Sequence, residues 1–194
     1  MSEIYKTKRD TIEYFICQFI ENEGVLFSSG TEIKEKGFSC SSISSINIKS
    51  ALTKIEKSAF ENCNELLNFV CGDTTKVNNE NELNLKGIDI TKIKSDFIIQ
   101  KDAFKNCSKL ETVVLPKLKR AKSKRKGSET NKLVIEKDAF SGCESLRTVV
   151  ALCDEIDFTG NPFADCPDYL TFICRKKSKI DRFARENGYR SIYV

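Results

Sequence analysis

Apolar residues along this chain recur in a fixed phrase, not in a helical stripe. Isoleucine, three variable residues, Ala-Phe, two variable residues, Cys, two variable residues and Leu appear first as Ile55, Ala59, Phe60, Cys63, Leu66. The phrase returns as Ile99, Ala103, Phe104, Cys107, Leu110 and as Ile135, Ala139, Phe140, Cys143, Leu146. A looser copy runs Phe158, Pro162, Phe163, Cys166, Tyr169. A degenerate copy begins at Ile33 and passes through Gly37, Phe38, Cys40 and Ile43, where a short Phe-to-Cys interval implies a deletion. Self-similarity at this length predicts a solenoid, in which one coil cannot bury its apolar face alone.

After each Leu the pattern becomes apolar at every second place: Phe69 and Cys71, Val113 and Leu115, Val149 and Ala151, Phe172 and Cys174. That alternation predicts a strand with every other side chain inward. One strand per coil should stack into one parallel sheet. The Ile-x-x-x-Ala-Phe half returns on the other side, with Phe filling the interior and Ala fitting a tight turn.

Phe38 precedes Phe60 by 22 residues and Phe140 precedes Phe163 by 23, so a coil takes 22 to 23 residues. The steps of 44 and 36 between Phe60, Phe104 and Phe140 hold one coil plus an insertion each, near 72–95 and 117–132. Insertions at one repeat position emerge on one edge of a solenoid. Leu83, Leu85, Ile88, Ile90 and Ile93 have strand-like spacing, which leaves open a worn-down coil inside the first insertion.

The solenoid is expected over residues 33–174. Residues 1–32 read as an N-terminal cap, either a hairpin turning at Asn22-Glu23-Gly24 or a short helix over 8–20. Residues 175–194 read as a C-terminal cap: Ser178 is a candidate N-cap, Asn187-Gly188 a stop, and a last strand spans 191–194.

The phrase Ala59-Phe60-x-x-Cys63-x-x-Leu66 with its copies, and the strand ending Leu115-Pro116, resemble the BspA-like (treponemal-type) leucine-rich repeats of bacterial and protozoan surface proteins. The closing stretch from Lys177-Ser178 to Tyr193-Val194 resembles that family's terminal segment. The resemblance implies a right-handed leucine-rich-repeat solenoid, mostly β within the α/β type, with one parallel sheet and a short C-terminal helix. It also implies a scaffold for adhesion and protein recognition at the cell surface. Residues 12–20 lack the features of a signal peptide, and no stretch approaches the roughly 18 apolar residues of a transmembrane helix. Those two features favour the cytoplasm.

Nine cysteines invite a disulfide or zinc reading. The repeat argues for a structural one. Cys40, Cys63, Cys107, Cys143 and Cys166 occupy one slot in successive coils, and Cys71 and Cys174 take a strand slot. A free Cys behaves as a small buried apolar residue. No Cys-x-x-Cys pair occurs and the chain has no histidine. The missing histidines also remove the commonest general base and the Ser-His and Cys-His pairs. No phosphate-cradling glycine motif occurs. The expectation is a non-enzymatic binding module with no cofactor and no metal.

Charge sharpens one place. Lys117, Lys119, Arg120, Lys122, Lys124, Arg125 and Lys126 put seven positive charges into ten residues. Without them, 25 basic residues face 28 acidic ones. Such a loop is either a solvated segment or a contact for nucleic acid, an acidic membrane or an acidic protein.

The strand faces supply the second candidate surface. Three columns should point outward: Ser45, Asn68, Thr112, Thr148, Thr171; Asn47, Val70, Val114, Val150, Ile173; and Ser44, Leu67, Glu111, Arg147, Leu170. The Val70–Val114–Val150–Ile173 column would lay an apolar stripe on a concave face, and such stripes mark partner sites. β-Branched residues favour strands in any case. Thr112, Thr148 and the cross-strand pair Glu111–Arg147 complete the candidate protein-binding face.

Overall fold

The structure is a computed structural model that describes residues 17–20, 24–27, 30–49, 52–73, 89–118 and 131–194. Two parallel sheets face each other across one core. The main sheet has eight strands, in the order β1 (Cys17–Ile20), β2 (Gly24–Phe27), β4 (Ser45–Ile48), β6 (Asn68–Val70), β11 (Thr112–Val114), β14 (Thr148–Ala151), β16 (Thr171–Cys174), β17 (Arg190–Tyr193). Only β1 and β2 pair antiparallel; every later neighbour is parallel. The second sheet has five parallel strands: β3 (Glu32–Ile33), β5 (Lys54–Ile55), β10 (Phe97–Ile99), β13 (Leu133–Glu136) and β15 (Ile156–Thr159). One strand from each sheet makes a coil, so the isoleucine half of the phrase forms its own ladder beside the expected sheet.

The insertions form two short ladders outside these sheets. β7 (Gly72–Asp73) pairs antiparallel with β8 (Asp89–Ile90), and β9 (Lys92–Ile93) pairs with β12 (Lys117–Leu118). β6 pairs directly with β11 and β5 directly with β10. No worn-down coil is therefore interposed between them.

Identical slots stack on identical slots. Phe38, Phe60, Phe104, Phe140 and Phe163 form a column with centroids 5.4, 5.0, 5.0 and 5.2 Å apart and planes within 14° of parallel. That repeat is close to the strand spacing of about 4.8 Å, so a flat ring on each coil fills the gap. Phe69 and Phe172 meet the column edge-on.

The turn that carries each ring uses two left-handed residues: Lys36 and Cys40, Ser58 and Asn62, Asp102 and Asn106, Asp138 and Gly142. Asn and Asp tolerate this conformation better than other side chains do. Backbone bonds between coils hold the turns in register, such as Phe60 N–H to Ala103 O at 2.7 Å and Phe104 N–H to Ala139 O at 2.7 Å.

The cysteine slot is a ladder of thiols. Cys63 donates to Phe38 O at 3.0 Å, Cys107 to Phe60 O at 3.1 Å, Cys143 to Phe104 O and Cys166 to Phe140 O at 3.2 Å. Each thiol thus satisfies a carbonyl of the preceding coil while packing as an apolar side chain. Cys40 does not belong to this slot. It is exposed at the left-handed position that Asn62 and Asn106 take in later coils, and Ser41 occupies the slot instead. The deletion in this coil therefore falls after the slot, between Ser41 and Ile43. A second correction concerns the last copy: Leu170, not Tyr169, is fully buried, and Tyr169 is exposed.

A helix, α1 (Lys179–Glu186), closes the C-terminal end. Ser178 accepts from Asp181 N–H, and Asp181 accepts from Lys177 N–H, a reciprocal capping arrangement. Phe183 from this helix packs on Phe158, Phe163 and Phe172.

Candidate partner-binding face

The outer face of the main sheet places the three outward columns side by side, in the register that the strand pairs define. The apolar column is not an open stripe. Val70 is 2% exposed and Val114 and Val150 are 0% exposed, in a small second core with Ile90. Leu152 and Ile173 pack against it. The physical reason is the first insertion. β7 and β8 carry Ile90 back over the sheet, and β9 ties the insertion to β12. An apolar column that would cost free energy in water is sealed by a chain segment interrupting the repeat.

Past β14 no insertion follows, and the same column opens. Ile173 is half-buried, and Ile192, its register partner on β17, is 54% exposed. Thr112 is also buried, at 9%, whereas Thr148 is half-buried. The third column is accessible in its middle, where Leu67, Glu111 and Arg147 are all exposed, but Ser44 is half-buried and Leu170 points into the main core instead of outward. Glu111 and Arg147 immediately precede the neighbouring strands β11 and β14, with Arg147 N–H donating to Glu111 O at 2.9 Å, yet their side chains form no ion pair with each other. A pair does form one column away, where Lys109 grips Glu65 at 2.7 and 2.9 Å.

Of the basic loop, Lys117 is half-buried on β12. Lys119, Arg120, Lys122, Lys124, Arg125 and Lys126 lie outside the described residues.

The thiols of the ladder and of the strand slots are shielded rather than poised, whereas Cys40 is exposed. Burial pushes Cys153 and Cys166 up to about 12 and raises Cys71 and Cys143. Its hydrogen bond with Cys63, and then burial, push Cys107 up. Cys63 moves down, to about 7, because the neighbouring Cys107 thiol, and then Ser41, favour its thiolate, but it is fully covered. Among the described residues no group of three or more His, Cys, Asp or Glu side chains could hold a metal ion, and no helix is long and apolar enough to cross a membrane.

A family model described as BspA type Leucine rich repeat region matches residues 31–169 in six copies, where the phenylalanine column has five rungs. No curated protein and no solved structure matches the chain.

Proposed function

The chain belongs to the BspA-type leucine-rich-repeat family, and from that premise we propose that it is a non-enzymatic module binding a protein partner through the outer face of the main sheet. Repeats of this family are interaction scaffolds of a protein-binding or adhesion type. The observation that carries the reading is the band Leu67, Glu111, Arg147, exposed at the entries to the consecutive strands β6, β11 and β14 and flanked by the half-buried Thr148. An apolar residue beside two opposite charges that form no ion pair among the described residues offers both burial and orientation to a partner. Val70, Val114 and Val150 serve this face from beneath, by anchoring the insertion that forms its rim.

The test is photo-crosslinking in extracts of the native source, with the crosslinker placed at Thr148 or, on the opposite sheet, at Lys54. A protein crosslinked from Thr148 and not from Lys54, and lost in Glu111→Arg/Arg147→Glu, supports the face. Equal crosslinking from both sheets, or capture unchanged by the charge reversal, overturns it. A second reading rests on the seven charges of 117–126: attachment to an anionic polymer or an acidic membrane. Its signature is affinity falling steeply with salt, and neutralising the loop without loss of binding would remove it.

A further inference from the structure

The second sheet has an outer face of its own. Ile55, Phe97, Ile99, Leu133 and Ile135 point into the core, so alternation turns Lys54, Ile98, Val134 and Asp157 outward. The strand pairs set these four in one row: Lys54 beside Ile98, Ile98 beside Val134, Val134 beside Asp157. Ile98 and Val134 are half-buried and make an apolar centre. Two residues earlier on the same strands' approach stand Asp96 and Lys132, both exposed; two residues later stand Gln100 and Glu136, both half-buried. Lys132 N–H donates to Asp96 Oδ1 at 2.8 Å, which keeps the earlier row in the register of the sheet. Within the chain, Lys54 pairs with Glu56 at 3.2 Å, and Asp157 pairs with Lys132 at 3.3 Å and Lys179 at 2.9 Å.

The order of these residues is complementary to itself. A two-fold axis parallel to the strands, passing between β10 and β13, lays one such face on another with its rows aligned and its strand order reversed. Ile98 of one copy then meets Val134 of the other. Asp96 meets Lys132, Gln100 meets Glu136, and Lys54 meets Asp157, again one residue from each copy. Every meeting is apolar with apolar, cation with carboxylate, or amide with carboxylate. The symmetry makes each of them occur twice. A two-fold axis across the strands, through the same row, would instead set Lys54 on Lys54 and Asp157 on Asp157. Like charges therefore select against that arrangement.

We propose that the outer face of the second sheet pairs with a second copy of the chain, face to face about the axis parallel to the strands. Ile98 and Val134 form the apolar centre of the contact, and the charges around them fix its direction. The crossing contacts extend ion pairs already present within each copy. A face of five short strands is small, so the pairing is weak and is read at high protein concentration. The band of Leu67, Glu111 and Arg147 belongs to the other sheet, so either surface can fail without the other.

The probe is the full chain itself, followed by sedimentation velocity between about 10 μM and about 1 mM. A reversible monomer–dimer equilibrium is expected, weakening as salt rises from about 0.05 to about 0.5 M. Lys54→Glu and Asp157→Lys should each weaken it about tenfold, because each sets like charges against one another twice in the pair. Mixing these two variants should restore it, since the mixed pair again has opposite charges at both meetings. Ile98→Lys, which removes no ion pair, should weaken it as well. Thermal unfolding by circular dichroism checks that each variant is folded. A photo-crosslinker at Lys54 should join the chain to itself at the peptide that holds Asp157. The mass of that adduct separates it from any partner taken at Thr148. Any of four results overturns the proposal: a monomer at every concentration, a dimer unmoved by all three substitutions, no recovery on mixing, or a Lys54 crosslink only to a different protein.

Discussion

Val114 and Ile192 stand in one outward column, and a single type of substitution separates a covered position from an open one. Val114→Thr is nearly isosteric, so it changes polarity without changing volume. At 0% exposure, among Val70, Val150 and Ile90, the hydroxyl gains no apolar benefit and meets an apolar lining. Placing a hydroxyl there costs about 1–3 kcal/mol. A central value of about 2 kcal/mol lowers the melting temperature of a domain this size by about 4–8 °C. Ile192→Thr, at 54% exposure, should cost about 0.5 kcal/mol or less. Thermal unfolding followed by circular dichroism measures both. Ile90 and Val114 also supply a direct test of the seal: in a double-mutant cycle, Ile90→Ala and Val114→Ala should couple by about 0.5–3 kcal/mol. Equal melting temperatures for the two threonine variants, or strictly additive alanine variants, would refute the covered column.

Two further outcomes follow from the cap and the thiols. Burial disfavours the charged form of Asp181, but the Lys177 N–H, the Tyr193 hydroxyl and Arg185 outweigh it and hold its carboxyl below the usual value. A depressed folded value stabilises fully above the unfolded carboxylate value and fades as pH falls through the folded one. Asp181→Asn should therefore lower the urea midpoint at neutral pH and flatten its fall in acid; a profile parallel to the parent's contradicts this. In native-state labelling with iodoacetamide read by mass spectrometry, exposed Cys40 should react well before buried Cys71, Cys107, Cys143 and Cys153. Modification of Cys107 or Cys143 ahead of Cys40 would contradict the thiol ladder.

The stacked core was legible because in a solenoid a residue's neighbour is its own counterpart one coil away. Repetition of Phe60, Phe104 and Phe140 in the sequence is thus already a statement about contact. The same logic misleads where a slot keeps its chemistry and changes its letter. Ser41 takes the thiol position, with its hydroxyl 3.3 Å from Cys63 Sγ, so matching by letter drew Cys40 into a column it does not occupy. Tyr169 misleads for a related reason: Leu170 next to it is equally apolar, and the turn at Pro167 turns that residue inward, through Leu170 N–H to Pro167 O at 3.0 Å.

The outward face is a different kind of problem. Strand alternation assigns Val70, Val114 and Val150 to the side away from the Phe column, and they are on that side. It says nothing about what lies over them. That depends on Ile90, whose placement rests on the two-residue ladder of β8 to β7, with the neighbouring β9 held by another to β12, pairings between segments that each occur once and so have no counterpart to be compared with. The consequence reaches function. As far as β14 the apolar column is sealed, and beyond β14 the same column surfaces at Ile173 and Ile192. In this chain the regular repeats build the surface, and the two interruptions decide which stretch of it a partner can touch.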